Sequence, residues 1–305
     1  MRSKLMMSII GVIVLTIGAA PVLAASFVDA LIWWHMDEYA SGPLYTGEDL
    51  RDYNGDNTTF AAMRNQVGPV WVQGPTAGPG GGSTFLTQPA GTGGAVQFRK
   101  DRGEFGDEVR FGGDDLLING EITLWFRLKI DRDLDEWIAT DPCGAMTIAQ
   151  NLHWQGGKVI GWLIRIANDT NVAELNWLWG QNEQNVWNQV WTGEQMPVEV
   201  NEWIDISACV DTVNREARVT CYSAGDGFDS AVYSFDDANV FTQGQEVKGL
   251  VNFLENPTHF TMGADAYEEP SNIDMTVESA AMWDFALSME DVEALSYYEF
   301  LTACG

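Results

Sequence analysis

From Ile122 to Ile130 the chain alternates without a break. Ile122, Leu124, Phe126, Leu128 and Ile130 take one parity; Thr123, Trp125, Arg127 and Lys129 take the other. A strand sends successive side chains to opposite faces, whereas a helix repeats every 3.6 residues. Alternation this long excludes a helix. It predicts a strand with one buried face and one more open face. Such a strand needs partners along its edges and a second layer against its apolar face.

Other segments repeat the pattern. Leu31–Met36 reads as a first strand that Asp37-Glu38 ends, and Gly94–Phe98 as a short one. Lys158–Ala167 alternates through Trp162, Ile164 and Ile166, and Leu175–Trp179 continues it. Glu202–Asp211, a turn through Asn214 and Glu216–Ser223 form a hairpin. Near the end, one strand closes at Met262-Gly263 and another at Trp283, before a polar break at Asp284. Ser288 followed by Asp291 is a capping-box pattern, starting a short helix through Met289, Val292 and Leu295. Gly74 to Gly94, rich in Gly, Pro, Ser and Thr, reads as a surface loop. Many strands and one terminal helix predict an all-β, two-sheet sandwich.

The chain opens with Arg2 and Lys4, then runs apolar from Ile9 to Leu23 with small residues at Val22 and Ala24. That is the pattern of a secretory signal peptide, residues 1–24. The expected mature chain, 25–305, suits one large β domain in a secreted or cell-surface protein. No second apolar run is long enough to cross a bilayer, so no membrane insertion is expected after cleavage. The formal charge is −28, or −30 once Arg2 and Lys4 are removed. Such acidity argues against nucleic acid and anionic membranes as partners. An exported chain with Cys143, Cys209, Cys221 and Cys304 allows disulfides in any of three pairings. Cys209 and Cys221 flank the hairpin, but their parity differs. Cys209 falls opposite Ile206 and Ala208, while Cys221 joins Ala217 and Val219 on the apolar face.

Several blocks resemble laminin-G-like domains of the concanavalin A-like lectin/glucanase group. The closing block is the clearest: His259-Phe-Thr-Met-Gly-Ala-Asp-Ala-Tyr267, then Val277 to Trp283, Leu287-Ser288 and the helix. The opening block has a Trp-containing strand, Asp37-Glu38, Ser41-Gly42 and the turn Asp52-Tyr-Asn-Gly-Asp-Asn57. The Trp203-led hairpin is a third. The blocks span roughly Asp29 to Phe300 in order, and Gly225 to Thr258 departs as an insertion or long edge region. The resemblance implies a concanavalin A-like jelly roll of two sheets, with structural roles for Trp33, Trp203 and Trp283.

Glucanases of this group carry Glu-x-Asp-x-Glu on one strand, which sets two carboxylates at the separation glycosyl transfer needs. No Glu of this chain is followed two positions later by Asp. That counts against this enzyme class, and no catalytic residue is assigned. His35, His153 and His259 belong to no metal or nucleophile motif. Asp52, Asn54 and Asp56 are spaced as alternate oxygen ligands, with Asp37 as a possible fourth, so calcium is the cofactor to test. An Asx-rich turn without metal gives the same spacing.

Trp177, Trp179, Trp187 and Trp191 lie in a stretch that also holds Asn176, Asn188 and Gln189. Sugars offer an apolar face for stacking and hydroxyls for amides, and this stretch supplies both partners. Core packing is the competing role for any of these tryptophans. The expected function is a secreted, non-catalytic, lectin-like module for a polysaccharide or glycoprotein. A protein or matrix adhesion domain is the alternative, and a glycan-cleaving enzyme with a site assembled from distant carboxylates is a third.

Overall fold

The computed structural model describes residues 30–34, 42–43, 60–63, 69–73, 94–99, 109–112, 121–131, 145–150, 153–155, 158–167, 172–181, 187–191, 198–211, 213–223, 225–234, 260–263 and 273–302. In chain order the strands are β1 (Ile32–Trp34), β2 (Gly42–Pro43), β3 (Phe60–Met63), β4 (Val70–Gln73), β5 (Gly94–Phe98), β6 (Val109–Gly112), β7 (Ile122–Ile130), β8 (Ala145–Gln150) and β9 (His153–Gln155). They continue as β10 (Lys158–Ala167), β11 (Val172–Gln181), β12 (Trp187–Trp191), β13 (Trp203–Asp211), β14 (Glu216–Ser223), β15 (Gly227–Ser234), β16 (Phe260–Met262) and β17 (Met275–Trp283). A single described helix, α1 (Met289–Thr302), follows.

Two antiparallel sheets result. The first has nine strands, in the order β15-β14-β13-β7-β17-β5-β4-β2, with β1 also paired to β17. The second has eight, in the order β12-β11-β10-β8-β16-β6-β3, with β9 beside β10. Residues of both sheets meet in one core. Leu124, Phe126, Leu128, Ile204, Ile206 and Val277 come from the first; Ile148, Ile164, Ile166 and Met262 come from the second. The alternation of β7 and the β13–β14 hairpin appears as read, and Val172–Gln181 extends the strand expected over 175–179. Of the strand expected over Leu31 to Met36, Ile32–Trp34 is present, and His35 and Met36 lie outside the described residues. Within 225–258, Gly227–Ser234 is the edge strand of the nine-stranded sheet.

The face of β7 expected to be open is closed. Thr123, Trp125 and Arg127 are buried, and only Lys129 of that parity is partly exposed. The cover is α1. Leu287, Val292 and Leu295 pack with Trp33, Trp125, Ala281 and Trp283 in a second apolar cluster on the outside of the sheet. The helix starts as its sequence directs: the Ser288 hydroxyl accepts the Asp291 backbone N–H at 3.1 Å and lies 2.7 Å from the Asp291 carboxylate. Thr123 ties the approach to the sheet. Its hydroxyl donates to the Phe285 carbonyl at 3.0 Å and accepts the Leu287 N–H at 2.9 Å.

Strand β17 carries a bulge at Glu278, where its pairing to β7 shifts between Val277 and Ser279. One inserted residue lets Val277 and Ala280 share the core face despite their odd separation, and places Ala281 and Trp283 under the helix. Trp33, expected to be structural, donates its indole N–H to the Ser279 hydroxyl at 3.1 Å. Trp283 is wholly buried, while Trp203 is half-buried with the Lys129 ammonium 5.9 Å from its ring centre.

Beneath α1 sits a buried ion pair. Arg127 donates twice to Asp205, Nε to Oδ1 at 2.7 Å and a terminal nitrogen to Oδ2 at 2.8 Å. The guanidinium also lies 5.3 Å from the Trp125 ring centre. Burial pushes the Asp205 carboxyl above its usual range, opposed by the charge and hydrogen bonds of Arg127 and by the nearby Ser296 hydroxyl of the helix. Removing one partner strands a buried charge, whereas replacing both need not. We expect Asp205→Ala to lose about 3–5 kcal/mol in chemical denaturation, and Arg127→Met with Asp205→Leu to recover much of it.

Candidate functional site

The aromatic and amide stretch forms one end of the eight-stranded sheet, and strand register sorts its members. On β10 and β11, Ile164 opposes Leu175, Trp162 opposes Trp177 and Ile160 opposes Trp179. Ile164 is a core residue, and Trp177 and Trp179 oppose β10 residues of the same parity. Trp191 opposes Asn176, which has the other parity, and Gln189 opposes Leu178. Past a shift between Leu178 and Gly180, Asn188 opposes Gly180 and Trp187 opposes Gln181. Alternation along β12 keeps Trp187, Gln189 and Trp191 together. The four tryptophans therefore divide by parity into two pairs, Trp177 with Trp179 and Trp187 with Trp191.

The row holding Trp191 crosses the whole sheet. Pair by pair it runs Ala62, Arg110, Thr261, Gln150, Leu163, Asn176 and Trp191. Its centre is closed to solvent, since Thr261, Gln150 and Leu163 are buried. Asn176 and Trp191 stand at the β12 end, the edge of the sheet. His153 opposes Ile160, the residue that also opposes Trp179.

The calcium ligands expected at Asp37, Asp52, Asn54 and Asp56 lie outside the described residues, as do the signal peptide, Cys143 and Cys304. Among the described residues no group of three or more His, Cys, Asp or Glu side chains is arranged to hold a metal ion. No described helix is long and apolar enough to cross a membrane.

Cys209 and Cys221 lie on opposite faces of the hairpin, as their parity requires. Cys209 opposes Arg218 and accepts its N–H at 3.1 Å on the outer face, while Cys221 opposes Ile206 in the core. Both are free thiols.

A second feature escaped the sequence. A cleft of about 270 Å³ opens beside the edge of the nine-stranded sheet, lined by Glu199, Cys221, Ser223, Asp226, Gly227 and Asp229. The turn at its mouth is fixed by the Asp226 N–H donating to the Ser223 hydroxyl at 3.0 Å, and by a left-handed Gly227. Glu199 precedes β13 while Asp226 and Asp229 belong to the next hairpin, so only pairing brings them together. Burial, then the charges of Asp205, Asp229, Glu199 and Asp226, push the Cys221 thiol up to about 12.

No protein-family pattern matches the chain, and no curated protein is significantly similar to it in sequence. Solved structures do resemble it. One is a mutant of HCR/D, with 14% identity over 90% of this chain and 53% of that one, at a TM-score of 0.50. Another is the botulinum neurotoxin serotype G binding domain, with 10% identity over 88% of this chain and 51% of that one, at a TM-score of 0.51. The fold is a jelly-roll β-sandwich. At these identities the likeness shows the fold alone, and the chain spans about half the length of each structure.

The Cys221 shift gives a pH prediction. A thiol raised in the folded state adds stability that is complete below its ordinary value of 9.0 and is lost as pH rises through about 12. Native protein at pH 8 should therefore alkylate at Cys221 far more slowly than denatured protein, followed by mass spectrometry. Cys221→Ala should flatten the fall in stability between pH 9 and 12.

Proposed function

We propose that this chain is a secreted, non-catalytic carbohydrate-binding module of laminin-G-like type, which takes a polysaccharide or glycoprotein glycan at the β11–β12 edge. One observation supports it above the others. Strand register sets Trp191 and Asn176 against each other at a sheet edge, out of step with the core row, with Trp187 and Gln189 on the same side of β12. Aromatic rings and amides in one row match the two chemistries a sugar presents. Trp177 and Trp179 then serve packing, and Asn188 is a flanking contact. The similar toxin structure is itself a binding domain, which agrees with a binding role on this fold. Strong acidity favours a neutral glycan over an anionic one. Calcium held by Asp37, Asp52, Asn54 and Asp56 is part of this reading.

The test is a panel of neutral and acidic polysaccharides presented to the purified protein, with calcium and with chelator. Saturable binding to a neutral glycan is expected. Trp187→Ala and Trp191→Ala should each weaken it at least about tenfold, worth roughly 1.4 kcal/mol, with little change in thermal midpoint. Trp177→Ala should instead lower the midpoint. A panel without binding in either condition would sink the proposal, and loss of binding only with chelator would add the metal.

A further inference from the structure

The nine-stranded sheet ends at β15, and among the described residues no strand pairs with its outer side. Asp229, Ser230, Val232 and Ser234 are exposed along it. Its register to β14 runs from Glu216–Ser234 to Ser223–Gly227 without a shift. Edge strands are commonly blunted by lysine, proline or a bulge, because their open backbone groups recruit other strands. Gly227-Phe-Asp-Ser-Ala-Val-Tyr-Ser234 has no lysine, no proline and no bulge.

The direction of its outward donors can be read. The Ser230 N–H donates to the Asp229 side chain at 2.8 Å rather than across to β14. It therefore faces the outer edge, and alternation puts the N–H groups of Phe228 and Val232 on the same side. The acidic cleft lies alongside. Asp229 opposes Cys221 in register, and both line the cleft with Glu199 and Asp226. None of its lining residues is basic.

We propose that the edge of β15 docks an extended, basic segment of a partner protein, which adds as a further strand and seats a Lys or Arg side chain in this cleft. Strand addition takes affinity from backbone hydrogen bonds and selectivity from alternate side chains in pockets. Charge selects the occupant. A second copy would bring the same three carboxylates and another −28 of net charge to the contact, and like-charge juxtaposition is costly. A basic strand brings the opposite sign. This edge belongs to the other sheet from the β11–β12 edge, and its probe is a peptide rather than a glycan, so failure of either reading is told apart from failure of the other.

The probe is a labelled ten-residue peptide alternating lysine and valine, with a glutamate-for-lysine control, followed by fluorescence anisotropy at physiological salt. The lysine peptide should bind saturably and the control should not. Val232→Pro removes an outward N–H while leaving the ladder to β14 intact. It should weaken binding at least about tenfold with an unchanged melt. Asp226→Asn with Asp229→Asn should weaken binding comparably and flatten its salt dependence. Equal binding by folded Val232→Pro would reduce the effect to general attraction and overturn the proposal, as would no saturable binding. If that variant fails to fold, amide exchange at Val232 in the native chain decides: slowing with peptide supports docking, and no change overturns it.

Discussion

The structure depends on a strand buried on both faces. All nine residues of β17 are buried. One face enters the core between the sheets, and the other lies under α1. Along its edges β17 pairs with β7 on one side, and with β5 and then β1 on the other. Two-sided burial favours apolar or small residues, and Met275-Thr-Val-Glu-Ser-Ala-Ala-Met-Trp283 supplies them at nearly every position but Glu278, with Ala281 and Trp283 toward the helix. The bulge at Glu278 resolves the parity conflict that a straight strand would create. Helix, first strand and central sheet are thereby fixed by one element.

The same double burial explains the polar chemistry of the outer face. A charged residue beneath a helix is stable only when paired. Arg127 and Asp205 sit on neighbouring strands in direct register, so the pair forms without loop closure beyond the sheet itself. Its two short hydrogen bonds offset part of the cost of taking both charges from water. Ser296 of α1 lies near the pair, its hydroxyl donating to the Val292 carbonyl of the helix at 3.3 Å.

Period-two patterns were legible because they are local. Strand β7, the β13–β14 hairpin, the opposed parity of Cys209 and Cys221, and the Ser288 cap all follow from neighbours in sequence. What escaped needs distant partners. Trp125 and Arg127 share a parity that looks open until the helix, more than a hundred residues later, covers it. The acidic cleft joins Glu199 to Asp226 and Asp229 through pairing alone. The tryptophans were legible as a composition but not as two rows. Only the pairing of β11 with both neighbours separates Trp177 from Trp191. The expected calcium ligands and signal segment fall outside the described residues.

The two edge strands differ in composition: β12 carries Trp187, Gln189 and Trp191, whereas β15 carries Asp229, Ser230 and Val232. The most direct test of the central claim is tryptophan fluorescence during titration with the tightest-binding polysaccharide, comparing the native chain with Trp187→Phe plus Trp191→Phe and with Trp177→Phe. The account predicts a glycan-dependent blue shift that the double variant loses and Trp177→Phe keeps. A shift that survives the double variant and disappears with Trp177→Phe would contradict it.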